Sequence, residues 1–193
     1  MKKNKKLFVL AALFLAVFAV GGTLAYLTDT TDPETNTFTF GKVEIELDEG
    51  DWDSTNATDL APGDEVTKEP SVKVKDGSKD AFVFIEVTMP AKIGDKDVLT
   101  LSAIDTSKWT TVSTQGYTTV YAYGSSSAMT KVSANGATDK LFEKVTVNGA
   151  LSGEELATLG DNGANIVVKA YAIQADNVTG TPTEVWATLQ SEL

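Results

Sequence analysis

Ala81-Phe82-Val83-Phe84-Ile85-Glu86-Val87 is the stretch that decides the fold. Apolar residues occupy both parities of the run, and Glu86 is its only interruption. A strand with one wet face alternates, so a short aromatic and β-branched run without alternation predicts a central, buried strand. Immediately upstream, residues 66–75 read as a second extended stretch, in which Pro70 enforces an edge or a broken strand. Leu60-Ala61-Pro62-Gly63-Asp64 is a turn before it. Further upstream, Phe38 and Phe40 share one parity, and Val43, Ile45 and Leu47 share the other. A bulge at Gly41 would bring both sets to one face.

Downstream, residues 98–104, 109–112, 117–123, 141–147 and 165–174 are short, β-branched or aromatic, and bounded by Gly, Asn, Asp or Ser. That spacing predicts a sandwich or a barrel. Ser152 can cap a short helix over residues 153–159. Thr181-Pro182-Thr183-Glu184 places Thr at the N-cap, Pro at N1 and Glu at N3, and Val185, Trp186 and Leu189 then give one apolar helix face. The expected fold is all-β: a jelly-roll-like antiparallel β-sandwich with short peripheral helices.

A leader precedes this domain. Lys2, Lys3, Lys5 and Lys6 are followed by an apolar run over residues 7–20, then by Gly21-Gly22 and Thr23-Leu24-Ala25. A basic start, a short apolar stretch and small residues at the end spell a helical signal peptide over residues 1–25, cut between Ala25 and Tyr26. The alternative is an uncleaved anchor, since residues 7–27 just reach the roughly 20 apolar residues that span a bilayer. Gly21, Gly22 and Thr23 break that run, and no basic cluster follows it. Residues 26–37 read as a polar, mobile segment, and residues 38–193 as the sandwich domain. Nothing near the C-terminus matches Leu-Pro-x-Thr-Gly, so sortase anchoring is not expected.

Composition narrows the chemistry. The 193 residues hold 27 acids against 16 lysines, a net charge of −11, with no Arg, His or Cys. Without the four leader lysines the balance is 12 against 27, about −15. Such a field repels nucleic acid and anionic lipid, so the membrane is met only through the leader. Ser-His-Asp and Cys-His catalysis are excluded, a guanidinium clamp is absent, and a zinc site would have carboxylates alone. No cofactor is implied.

Asp48, Glu49, Asp51, Asp53 and Asp59 crowd one loop. Asp51 and Asp53 are candidate Ca²⁺ ligands, because Ca²⁺ takes six to eight oxygens. The spacing is not that of an EF-hand, and a solvated acidic loop is the plainer alternative. Glu44 and Glu46 alternate with Val43 and Ile45 as the outer face of a strand. Tyr117, Tyr121 and Tyr123 share a parity and form either a glycan platform or a packed sheet face. Lys169, set in an apolar run, is either an isopeptide donor or a lysine snorkelling from the sheet.

Residues 21–29, Gly-Gly-Thr-Leu-Ala-Tyr-Leu-Thr-Asp, resemble the junction of proteins processed by a SipW-type signal peptidase. Asn36-Thr37-Phe38-Thr39-Phe40-Gly41-Lys42-Val43-Glu44-Ile45 is similar to the first mature strand of the TasA/camelysin family. Leu60-Ala61-Pro62-Gly63-Asp64-Glu65-Val66-Thr67-Lys68 resembles its turn and second strand. Ala170-Tyr171-Ala172-Ile173-Gln174-Ala175 and the Trp186 helix resemble the tail of a clostridial-type branch. The resemblance implies a jelly-roll subunit of extracellular biofilm-matrix fibres of a Gram-positive bacterium, at the cell surface or in the matrix. It implies other copies of the same chain as partners, joined head to tail when a freed N-terminal segment beginning at Tyr26 and Leu27 fills a groove in the next copy. Other matrix components are further candidate partners. The family also carries a metalloprotease label, but no His-Glu-x-x-His can be written in a chain without His. The competing expectation is a monomeric secreted module that binds glycan or calcium.

Overall fold

The computed structural model describes residues 41–160 and 163–193. The signal peptide, its Ala25–Tyr26 junction, residues 26–37 and the Phe38/Phe40 pair lie outside the described residues. Among the described residues, ten strands and two short α-helices follow one another in chain order. They are β1 (Ile45–Asp48), β2 (Glu65–Thr67), β3 (Ser71–Val74), β4 (Ala81–Thr88) and β5 (Leu99–Leu101). Next come β6 (Trp109–Gln115), β7 (Thr118–Ser125), β8 (Ala128–Met129), β9 (Lys144–Val147), α1 (Gly153–Ala157), β10 (Val167–Gln174) and α2 (Pro182–Gln190).

All strand pairs are antiparallel. One layer has the order β10-β4-β7-β6, with β8 paired to β7. The other consists of β1-β3 and of β2-β9-β5. Pro70 separates β2 from β3, as its missing N–H requires. Backbone bonds carry the pairing across the break: Lys68 N–H donates to Glu143 O at 3.0 Å, Leu141 N–H to Pro70 O at 2.8 Å, and Thr138 N–H to Val72 O at 2.9 Å. Residues 65–74 therefore run against residues 136–147, and the two short sheets make one layer. The protein is an antiparallel β-sandwich.

β4 sits between β10 and β7, the central place its sequence predicts. Its odd positions, Ala81, Val83, Ile85 and Val87, join Val72, Val74 and Val145 of the facing layer in one core cluster. Phe84 points the other way, into a second cluster with Val120, Ala122 and the α2 residues Val185, Trp186 and Leu189. Its ring lies 5.1 Å from that of Trp186. A strand covered by a sheet on one side and a helix on the other must be apolar on both parities, which is the pattern of residues 81–87. Burying each of these large side chains contributes roughly 1.5–3 kcal/mol.

Both predicted helices are present with their caps. Ser152 Oγ accepts from Glu155 N at 3.1 Å, while Glu155 Oε2 accepts from Ser152 N at 2.8 Å. In α2, Glu184 Oε2 accepts from Thr181 N at 2.8 Å and from Thr181 Oγ1 at 2.9 Å. Two elements were not expected: β8, and a 3-10 turn over Ser54–Ala57. β8 needs Gly124, whose φ of 149° and close approach to the Ala128 carbonyl leave no room for a Cβ.

Candidate functional site

The apolar inner face of the β2-β9-β5 sheet is only partly roofed. A groove of about 590 Å³ opens there. Its floor is Val66, Val147 and Leu99, which alternate inward from β2, β9 and β5. One wall is the acidic loop, through Trp52 and Leu60, and the other is α1 and its exit, through Leu156 and Leu159. Ile166 closes the side that leads into β10. The floor valines are buried, whereas Leu60, Leu156, Leu159 and Ile166 are half-buried.

Each wall is pinned by a lysine. Lys68 follows β2, and its side chain is 7% exposed. Its Nζ donates to Glu49 Oε1 at 2.5 Å and stands 4.3 Å from the centre of the Trp52 ring. A buried ammonium needs a counter-charge, and an aromatic face supplies further attraction. Residue 68 thus fastens the acidic loop to the sheet at both ends of the indole segment. On the other wall, Lys96 Nζ donates to both oxygens of Glu155, at 2.8 and 2.9 Å. Together with the Ser152 backbone bond, this holds the Glu155 carboxyl below its ordinary value.

Beside the groove lies an open edge. Among the described residues β10 pairs with β4 alone, so its outer backbone groups have no strand partner. Val167, its first residue, is 46% exposed. β1 approaches β10 from the facing layer without a strand pairing.

The sequence candidates divide as follows. Ala25, Tyr26 and Leu27 lie outside the described residues. Asp53 accepts from Thr55 N at 2.9 Å and Thr55 Oγ1 at 2.8 Å, capping the Ser54–Ala57 turn, and these bonds hold its carboxyl below the ordinary range. Asp51 is exposed in the same loop. Among the described residues, no three Asp or Glu side chains gather as metal ligands. Tyr121 and Tyr123 pack against the core, and Tyr123 lies 5.0 Å from Trp109, so the tyrosine stripe is a packed sheet face with only Tyr117 exposed. Lys169 is exposed and stands across from Glu86 at 3.6 Å, a cross-strand ion pair. Sequence reasoning missed Lys68 and the groove. Lys68 falls in phase with Val66, Pro70, Val72 and Val74, all buried, and that unbroken alternation is the local signal of an inward Lys68.

Fold and site define a class: an acidic β-sandwich domain with an open apolar groove beside an edge strand that has no outer strand partner among the described residues. The family model described as camelysin metallo-endopeptidase matches residues 1–98, half of the chain, and the chain belongs to this camelysin/TasA family. No curated protein matches it. The family is known for extracellular or cell-surface proteins. Its description names a metal-dependent peptidase, yet the donor set of this chain is carboxylate alone, and among the described residues those carboxylates do not converge. The residues present do not fit a peptidase's His-bearing metal centre.

Proposed function

We propose that the chain, freed of its leader between Ala25 and Tyr26, is a secreted structural subunit of extracellular biofilm-matrix fibres. Residues 26–37 of one copy serve as the donor strand of the next, with Tyr26 and Leu27 as its apolar anchors. The observation that carries this reading is the half-open groove ending at Ile166, directly beside the unpaired β10 edge with its exposed Val167. A strand laid along β10 gains main-chain hydrogen bonds, and its apolar side chains fill the groove. Such a contact is heterologous and does not close, so it propagates as a filament. Family membership supports the secreted, matrix-associated setting. The acidic balance and the absence of His, Cys and Arg support a structural role over a hydrolytic one.

The test compares the protein starting at Tyr26 with one starting at Phe38 by electron microscopy and analytical ultracentrifugation. The longer form is expected to build filaments and the shorter to remain a folded monomer. Val167→Lys in the longer form is expected to cap growth. Filaments of unchanged width from the shorter form would end the donor-strand reading. A longer form that stays monomeric would favour the secreted binding module.

A further inference from the structure

Between Lys108 and Lys131 lie 22 consecutive residues without a charge. In a chain that is 22% charged, no other stretch of the described residues is as long. These residues build β6, β7 and β8, with half-exposed Tyr117 at the tip of the β6–β7 hairpin. Among the described residues β6 ends its sheet, with β7 as its strand partner. From Thr110 onward it consists of Thr, Val, Ser and Gln. Natural edge strands are normally short, or carry charges or Pro. The other described edges differ from it: β1 carries Glu46 and Asp48, β2 and β5 have three residues each, and β10, the other long edge, carries Lys169. β6 carries neither charge nor Pro; a register shift between Thr111 and Ser113 interrupts it, and α2 packs on one of its faces at Val112.

We propose that the β6 edge is a lateral contact between two copies of this chain, paired antiparallel about a two-fold axis. Two copies of so acidic a protein repel each other over most of their surface, and the uncharged hairpin is where that repulsion is least. A two-fold axis makes β6 its own complement, so a single unprotected edge suffices. Antiparallel pairing then supplies partners for the outward N–H and C=O groups. The bulge confines the straight edge to residues 113–115 and keeps the contact short and reversible. Repeated along a polymer, such contacts would add by avidity and bundle filaments side by side. The contact uses none of the N-terminal segment, so it stands or falls separately from donor-strand assembly.

Because the chain has no Cys, a single introduced thiol reports on one position. Ser113→Cys, Thr114→Cys and Gln115→Cys would each be oxidised under native conditions beside Asp95→Cys, an exposed turn control. Antiparallel partners bring Cα atoms within disulfide range at the position on the axis and not at a remote turn. The expected result is a covalent dimer at one β6 position, in about ten-fold excess over Asp95→Cys, suppressed by a neighbouring Thr114→Lys, or by Gln115→Lys where residue 114 carries the thiol. Thr114→Lys, at an exposed position of that edge, should leave the melting temperature and the width of single filaments unchanged while abolishing bundles. Equal yields at all positions, or bundles that survive Thr114→Lys in a folded protein, would overturn the proposal. So would a neutral polysaccharide that binds the native protein and not the Lys variant, with no β6 cross-link, because the face would then serve glycan.

Discussion

The β4 region and the groove region begin from the same material and end differently. Around β4, apolar side chains leave both faces of the strand and meet cover on both, the facing sheet on one side and α2 on the other. Around the groove, Val66, Val147 and Leu99 are equally apolar, but the cover is a loop and one turn of helix, and Leu60, Leu156, Leu159 and Ile166 stay half-buried. The difference lies in what supplies the roof. α2 is a nine-residue helix with an apolar face of its own, whereas α1 has five residues and no buried one. Closure at β4 is complete, whereas among the described residues the groove keeps an open side.

The largest effects should therefore fall at β4. Phe84→Ala removes a fully buried ring from the α2 interface and should cost about 3–5 kcal/mol in chemical denaturation. Leu156→Ala, in the groove wall, should cost less than about 1 kcal/mol, since a half-buried side chain leaves no sealed cavity. Comparable losses at the two positions would mean that the groove is a packed core in solution, and the contrast would collapse.

A middle-sized effect should appear where the groove wall is fastened. Lys68→Met keeps the stem and removes the ammonium between Glu49 and Trp52. Glu49 is partly exposed and can be solvated once its partner has gone, so the expected loss is about 1–2 kcal/mol. Trp109 and Trp186 are buried elsewhere, so a red shift in tryptophan emission would report Trp52 leaving the groove wall. An unchanged spectrum together with unchanged stability would show that the loop is held by something other than Lys68.

The same contrast explains what the sequence could and could not disclose. Both-parity burial of residues 81–87, the interruption at Pro70 and the two capping boxes are local, because the residues that signal them lie within a few positions of one another. The pairing of residues 65–74 with residues 136–147 joins segments about 70 residues apart, and no local pattern specifies such a register. The groove needs the acidic loop, β9 and α1 together, so it was invisible for the same reason. Asp53 was legible but misweighted: Asp-Ser-Thr before a short turn is an N-cap signal, and counting acids drew attention to charge instead.

The smallest expected effect concerns acid, and it separates the two helices. Hydrogen bonds from Lys96 and Ser152 hold Glu155 below the ordinary glutamate value of 4.5, and the Thr181 backbone and hydroxyl do the same for Glu184. A carboxyl whose folded value is depressed contributes stability that is complete above its unfolded value. That contribution is lost as pH falls through the folded value. Melting temperature should therefore be insensitive to these two groups from neutrality down to about pH 5, then fall below it. α2 roofs the β4 core, so Glu184→Gln should flatten part of that acid fall in the global melting curve. α1 only walls the groove, so Glu155→Gln should leave the global curve nearly unchanged and instead speed amide hydrogen exchange at Leu156 and Ala157 at neutral pH. If Glu155→Gln shifted the whole curve as much as Glu184→Gln, α1 would belong to the same cooperative unit as the β4 core, and the groove could not open without unfolding the sandwich.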